Sequence, residues 1–172
     1  MNPTAAAALL SLLFLKAAQQ GPPTDVPDNL KVPAGQELIL HAKGTGSQIY
    51  VCQAGPGLAW MLKAPEATLL DSHGKEIGTH FGGPTWKHKD GSEVTGKVAA
   101  MREAPQPDDI PWLLLNANTH TGDGIFSRVS FIHRLHTKGG RPPAAATCDE
   151  SRRGSEVKIP YSADYYFYAP AK

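Results

Sequence analysis

This sequence has little of what marks most enzyme classes. After its first twenty residues it holds no apolar run long enough to cross a bilayer as a helix, and no four-turn stretch with helical apolar spacing. Basic charge is not clustered either. Net charge is +1, Arg152-Arg153 is the one adjacent arginine pair, and Lys16 is the single charge within residues 1–20. A near-neutral chain lacks the basic face that nucleic acid or an anionic membrane surface selects, so neither is an expected partner. A dinucleotide site needs Gly-x-Gly-x-x-Gly between a strand and a helix. Gly44-Thr-Gly46 and Gly122-Asp-Gly124 lack the third glycine and the helix. No Gly-x-Ser-x-Gly elbow, His-Glu-x-x-His or His-x-His occurs. Nicotinamide chemistry is therefore not expected, no cofactor is implied, and the chain leans away from being an enzyme. Cysteine is scarce, with only Cys52 and Cys148. Two thiols so far apart do not make a zinc site, which wants closely spaced ligand pairs.

What is present begins with an export signal. Residues 5–15 form an apolar run of signal-sequence length, followed by the small pair Ala17-Ala18. No Lys or Arg precedes the run and Lys16 lies close to the cleavage zone, which departs from the usual pattern; an uncleaved anchor is the alternative. The expectation is a signal peptide over residues 1–20, a Pro-rich linker over 21–33 and one domain over 34–172, in a secreted or periplasmic protein. In that compartment the cysteines are expected to form one disulfide, Cys52–Cys148, with two buried thiols as the alternative.

Hydrophobic residues make up 41% of the chain, enough for a packed core. Short runs with strand-like alternation recur at 37–42, 48–53, 59–63, 68–70, 76–81, 93–100, 112–115, 156–159 and 164–168, and the longest run is 126–135. Turn chemistry separates them: Gly44-Thr-Gly46, Gly55-Pro-Gly57, His73-Gly74, Gly82-Gly83-Pro84, Asp90-Gly91 and Gly139-Gly140. Asp90-Gly91 is a hairpin signal, and the proline-rich stretch 105–111 reads as a loop on a crossing connection. The expected fold is all-β, a single-domain antiparallel β-sandwich or barrel with long Gly/Pro-rich loops.

A series of motifs follows in fixed order: Val32-Pro-Ala-Gly-Gln36, Gln48-Ile-Tyr-Val-Cys52, Ala64-Pro-Glu-Ala67, His80-Phe-Gly-Gly-Pro-Thr-Trp86, Asp90-Gly-Ser92, Pro111-Trp-Leu-Leu-Leu115, Thr137-Lys-Gly-Gly140 and Tyr165-Tyr-Phe-Tyr168. Together they resemble the domain of unknown function 3455 family, over roughly residues 26–168. The resemblance implies secretion, since such proteins are mostly secreted by bacteria and fungi, and a single domain. It implies no catalytic residues, because that family has no established activity.

Candidate site residues gather on one loop. His80 lies beside Gly82-Gly83, where a ligand has room to approach. A neutral imidazole there binds a metal or moves a proton, or else is simply satisfied by backbone. Asp71, His73, His80 and His88 fall close in sequence, but His73 sits in a turn and His88 among lysines. His133 and His136 are three apart, which in a regular strand sends them to opposite faces. Trp86, after Pro84, is the first choice for an exposed contact residue stacking on a sugar, against a core role. Asp90 and Arg134 complete the ligand-binding set; Arg134 and Lys138 are candidates to pair with Asp71 or Asp90. The leading expectation is a non-catalytic extracellular binding module for an unknown ligand, carbohydrate first. The alternatives are a metal-assisted enzyme centred on His80, which requires a carboxylate or second histidine beside it, and a structural envelope or matrix protein.

Overall fold

The computed structural model describes residues 21–55 and 57–172; the expected signal peptide lies outside the described residues. Eight strands form one closed antiparallel barrel, each pairing with its sequence neighbour and β1 closing on β8. They are β1 (Gln36–Ala54), β2 (Leu58–Leu70), β3 (Glu76–Phe81), β4 (Thr85–His88), β5 (Glu93–Arg102), β6 (Trp112–Thr121), β7 (Phe131–Gly139) and β8 (Glu156–Pro170). The all-β expectation thus resolves to a barrel. His73-Gly74, Gly82-Gly83-Pro84 and Asp90-Gly91 mark real strand connections, and the last joins β4 to β5 as a hairpin.

Two glycines that read as a turn are not one. Gly44 and Gly46 lie in the middle of β1, which pairs with β2 on one side and β8 on the other. A Cβ on Gly44 would meet the Tyr165 ring at 2.5 Å, and one on Gly46 the Glu66 carbonyl oxygen at 2.0 Å. These glycines serve close approach inside the barrel, not chain reversal. β8 likewise runs unbroken through Pro160. The apolar run 126–135 is divided: residues 125–128 form a 3-10 turn that buries Phe126, and β7 starts only at Phe131. The loop 105–111 joins β5 to β6, which are neighbours, so it does not cross the barrel.

The main core fills the barrel with Leu69, Trp86, Val94, Leu115, Phe126, Ile132, Tyr165 and Phe167 among others. Residues 21–33 are not a free linker. They loop across the outer surface and plug it with Leu30, which is wholly buried against Leu114, Leu135, Tyr166 and Tyr168. The Leu30 carbonyl accepts from His133 Nε2 at 2.7 Å, and Asn29 donates to the Met101 carbonyl at 3.0 Å.

Cys52 and Cys148 are joined, with a sequence separation of 96. The bond pins the 140–155 connection onto the upper β1–β2 hairpin, where Trp60 Nε1 also donates to Thr147 at 2.9 Å. A loop of that length loses much chain entropy on closure, worth about 4–5 kcal/mol in the unfolded state. The Cys52→Ala/Cys148→Ala double variant is expected to lower unfolding stability by several kcal/mol in urea denaturation. A midpoint unchanged from the wild type would show the bond to be energetically idle.

Candidate functional site

His80 projects into the barrel from β3 and is 3% exposed. Its ring stacks on Trp86 with centroids 4.4 Å apart and planes 9° from parallel, and meets Tyr165 edge-on at 5.1 Å. Nδ1 donates to the Thr85 carbonyl at 2.8 Å, which fixes the neutral tautomer with Nε2 unprotonated. Burial pushes its pKa down to about 3; the Thr85 bond opposes this and the Arg134 charge adds to it. The neighbours of His80 are therefore a carbonyl and aromatic rings, not the carboxylate or second histidine that acid-base work at this residue requires.

Trp86 is 1% exposed on β4, between His80, Tyr165 and Phe167. The expectation of an exposed sugar-stacking tryptophan is corrected. A four-residue strand facing inward, rather than a displayed loop, carries this side chain, so its ring is sealed in the core.

Asp90 organises a turn. Its Oδ1 accepts from the Ser92 amide and hydroxyl at 2.9 and 2.6 Å, and Oδ2 accepts from the Ile125 amide at 2.8 Å. Burial alone would raise its pKa. The Ser92 hydroxyl, the Ile125 and Ser92 amides and the nearby His88 outweigh that and hold it well below the usual carboxylate range. All of its partners lie at the closed lower end of the barrel, remote in register from Arg134.

Arg134 lies on the inner face of β7, in one cross-strand row with Leu113 of β6 and Met101 of β5. Its Nε and Nη2 donate to the Pro111 carbonyl at 3.1 and 2.8 Å. Neither expected carboxylate reaches it, and Lys138 pairs instead with Asp109 at 3.6 Å. Arg134 is partly exposed although it faces inward. Burial lowers its pKa, opposed by the phenol groups of Tyr165, Tyr161 and Tyr50.

The reason an inward residue meets solvent is the shortness of β3 and β4. β3 pairs with β2 only at residues 67–70, and β4 pairs with β5 only at 93–95. Above them, residues 58–66 of β2 and 96–102 of β5 face each other with no strand between. Two missing strands leave a notch roughly 10 Å wide. Leu62 pairs with Tyr50, Val98 with Leu115 and Met101 with Leu113, so all three point to the inner face. Yet they are 55%, 52% and 56% exposed. Phe81, at the end of β3, adds an exposed ring below the notch.

A second group was not legible in the sequence. His136 has φ of +48° at a break in the β7–β8 register. This bulge turns it to the outer face together with His133, contrary to the opposite-face expectation. His136 Nδ1 lies 2.9 Å from Asp164 and its Nε2 3.0 Å from Asp25 of the N-terminal segment, and His41 lies 3.3 Å from the other Asp164 oxygen. The group borders a cavity of about 570 Å³, next to a larger one of about 880 Å³ beneath residues 21–34. Among the described residues no three His, Cys, Asp or Glu side chains converge as a metal-ligand set, and no helix is long and apolar enough to cross a membrane.

A family model described as protein of unknown function (DUF3455) matches residues 33–169, so the chain belongs to that family. No curated protein and no solved structure matches the chain.

The buried, neutral His80 sets a pH dependence. Its ordinary pKa is 6.5 and its folded value about 3. As pH falls below 6.5 the unfolded chain takes up a proton that the folded chain refuses. Stability conferred above that pH is therefore lost downwards, at about 1.4 kcal/mol per pH unit for such a group. His133, lowered mainly by burial, works in the same direction. His80→Gln is expected to flatten the fall in urea midpoint between pH 6 and pH 4 relative to wild type. Parallel slopes would exclude His80 as its source.

Proposed function

We propose that this protein is an extracellular, non-catalytic binding module whose ligand site is the notch between β2 and β5. One observation carries the reading: Leu62, Val98 and Met101 point inward yet are each more than half exposed. A barrel that placed these residues only for packing would extend β3 and β4 to cover them. Leaving apolar side chains in water forgoes about 25 cal/mol for each Å² that a ligand covers instead. Loops and strand ends at a barrel mouth are common places for small ligands.

The disulfide and the apolar segment at residues 5–15 support export, since such bonds persist in oxidising compartments. The carbohydrate expectation rested on an exposed Trp86 and loses that support with the ring buried. The site is apolar-walled, which favours a ligand with an apolar body.

The test is fluorescence of the neutral dye N-phenyl-1-naphthylamine with the exported protein. Wild type is expected to enhance and blue-shift the emission, and Val98→Glu/Met101→Glu to weaken binding by tenfold or more. Both positions are exposed, so the double variant is expected to keep the wild-type circular dichroism spectrum. No enhancement with wild type, or equal binding by the variant, overturns the reading.

A further inference from the structure

The floor of the notch carries a charge that the fold does not neutralise. Arg134 has no carboxylate within ion-pair distance among the described residues. The two nitrogens with partners, Nε and Nη2, both serve the single carbonyl oxygen of Pro111. No acceptor among the described residues meets Nη1. Taking a cation part-way out of water without a counter-charge is costly. Two other basic side chains near this end are already paired: Arg141 with Glu103 and the Asp109 carbonyl, and Lys138 with the Asp109 carboxylate.

From this we infer that the notch takes an amphipathic monocarboxylate, its carboxylate on the open Nη1 edge of Arg134 and its apolar body along Met101, Val98 and Leu62. The inference rests on the binding reading above and names its ligand class. A guanidinium fork matches the two oxygens of a carboxylate. One cation balances one negative charge, which favours a monoanion over a doubly charged phosphate ester. Met101, Leu113 and Arg134 form one cross-strand row, so the anion anchor and the nearest exposed apolar wall lie about 10 Å apart. That distance suits a ligand with a charged head and a short apolar body, not a bare anion. Tyr50 does not compete for the anion: its hydroxyl donates to the Gly140 carbonyl at 2.6 Å. The Tyr161 and Tyr165 hydroxyls are buried 3.2 Å apart and share one hydrogen bond with each other.

The experiment displaces N-phenyl-1-naphthylamine from the exported protein with decanoate, decanol and decyltrimethylammonium. Decanoate is expected to compete ten- to a hundredfold better than decanol, and the cation worse than either. Arg134→Met is expected to bring decanoate down to the level of decanol. Arg134→Lys, which keeps the charge and loses the fork, is expected to fall between. Equal competition by all three probes overturns the carboxylate inference while the binding reading stands. Failure of the dye itself to bind overturns the binding reading and the inference with it. The three-probe comparison on wild type decides the inference even where the Arg134 variants do not fold.

Discussion

The closure of this barrel depends on how near β1 comes to its neighbours at Gly44 and Gly46. β1 is the longest strand and is paired on both edges, to β2 and to β8, so it carries the seam of the ring. At Gly46 there is no room for a single methyl group against the Glu66 carbonyl and Ala67. At Gly44 the space is taken by Tyr165. Removing side chains at two successive inward positions lets the large Tyr161 and Tyr165 rings of β8 lie across the axis. The Tyr165 ring in turn makes the edge-on contacts with Trp86 and His80. The aromatic interior is a consequence of glycine on the opposite wall. Gly96 repeats the device less tightly on β5, where a Cβ would meet Trp86 at 3.0 Å and Leu115 at 3.1 Å.

The same economy explains the notch. The stacked His80 and Trp86 rings fill the lower barrel from the shortest pair of strands, and Phe126 closes it from beneath through contact with Phe167. The upper part has a different cover. There the β1–β2 hairpin and the start of β8 extend beyond β3 and β4, and the 140–155 connection folds over them under the disulfide. Lids on one side and short strands on the other leave the opening towards Leu62, Val98 and Met101. β2 limits the risk of strand addition at its free edge with Pro65, the exposed Lys63 and a register shift beside it. An exposed edge so guarded is suited to a small ligand rather than to another chain.

What was legible in the sequence is what local chemistry alone decides. Asp90-Gly91 makes a hairpin because the Asp90 carboxylate ties the turn to Ser92, and His73-Gly74 turns where Asp71 accepts from the His73 and Lys75 amides. The disulfide followed from compartment and parity. Gly44 and Gly46 carry a turn signal in the sequence because a glycine needed for a neighbour's bulk and one needed for a turn look alike until the neighbour is placed. Strict alternation puts His133 and His136 on opposite faces, but a bulge shifts the phase by one residue and brings them to the same one. Gly82-Gly83-Pro84 suggests a displayed loop around Trp86, whereas a tight turn forms and β4 carries the ring inward. Of the candidate site, the sequence singles out Arg134 as a candidate, whereas nothing in it singles out Leu62, Val98 or Met101; the shortness of β3 and β4 exposes them.

The electrostatics of the interior leave one source of counter-charge for Arg134. The imidazole of His80 stays neutral because burial opposes its protonation, and it cannot become an anion. The Tyr50, Tyr161 and Tyr165 phenols are each pushed upward by burial, so at neutral pH they remain uncharged in spite of the nearby guanidinium. The carboxylates at this end are held elsewhere: Asp109 accepts from the Gly139 amide and faces Lys138, and Glu103 faces Arg141. Asp164 lies on the outer wall with His41 and His136. Among the described residues no group in the barrel interior neutralises the cation by titrating, which leaves solvent, and what it carries, as the source of its counter-charge. Among the described residues, the inward face open to solvent beside it is the wall that Met101 and Val98 line. A ligand that brings both an anion and apolar surface answers the charge and the exposure together, whereas water or a small ion answers only the charge.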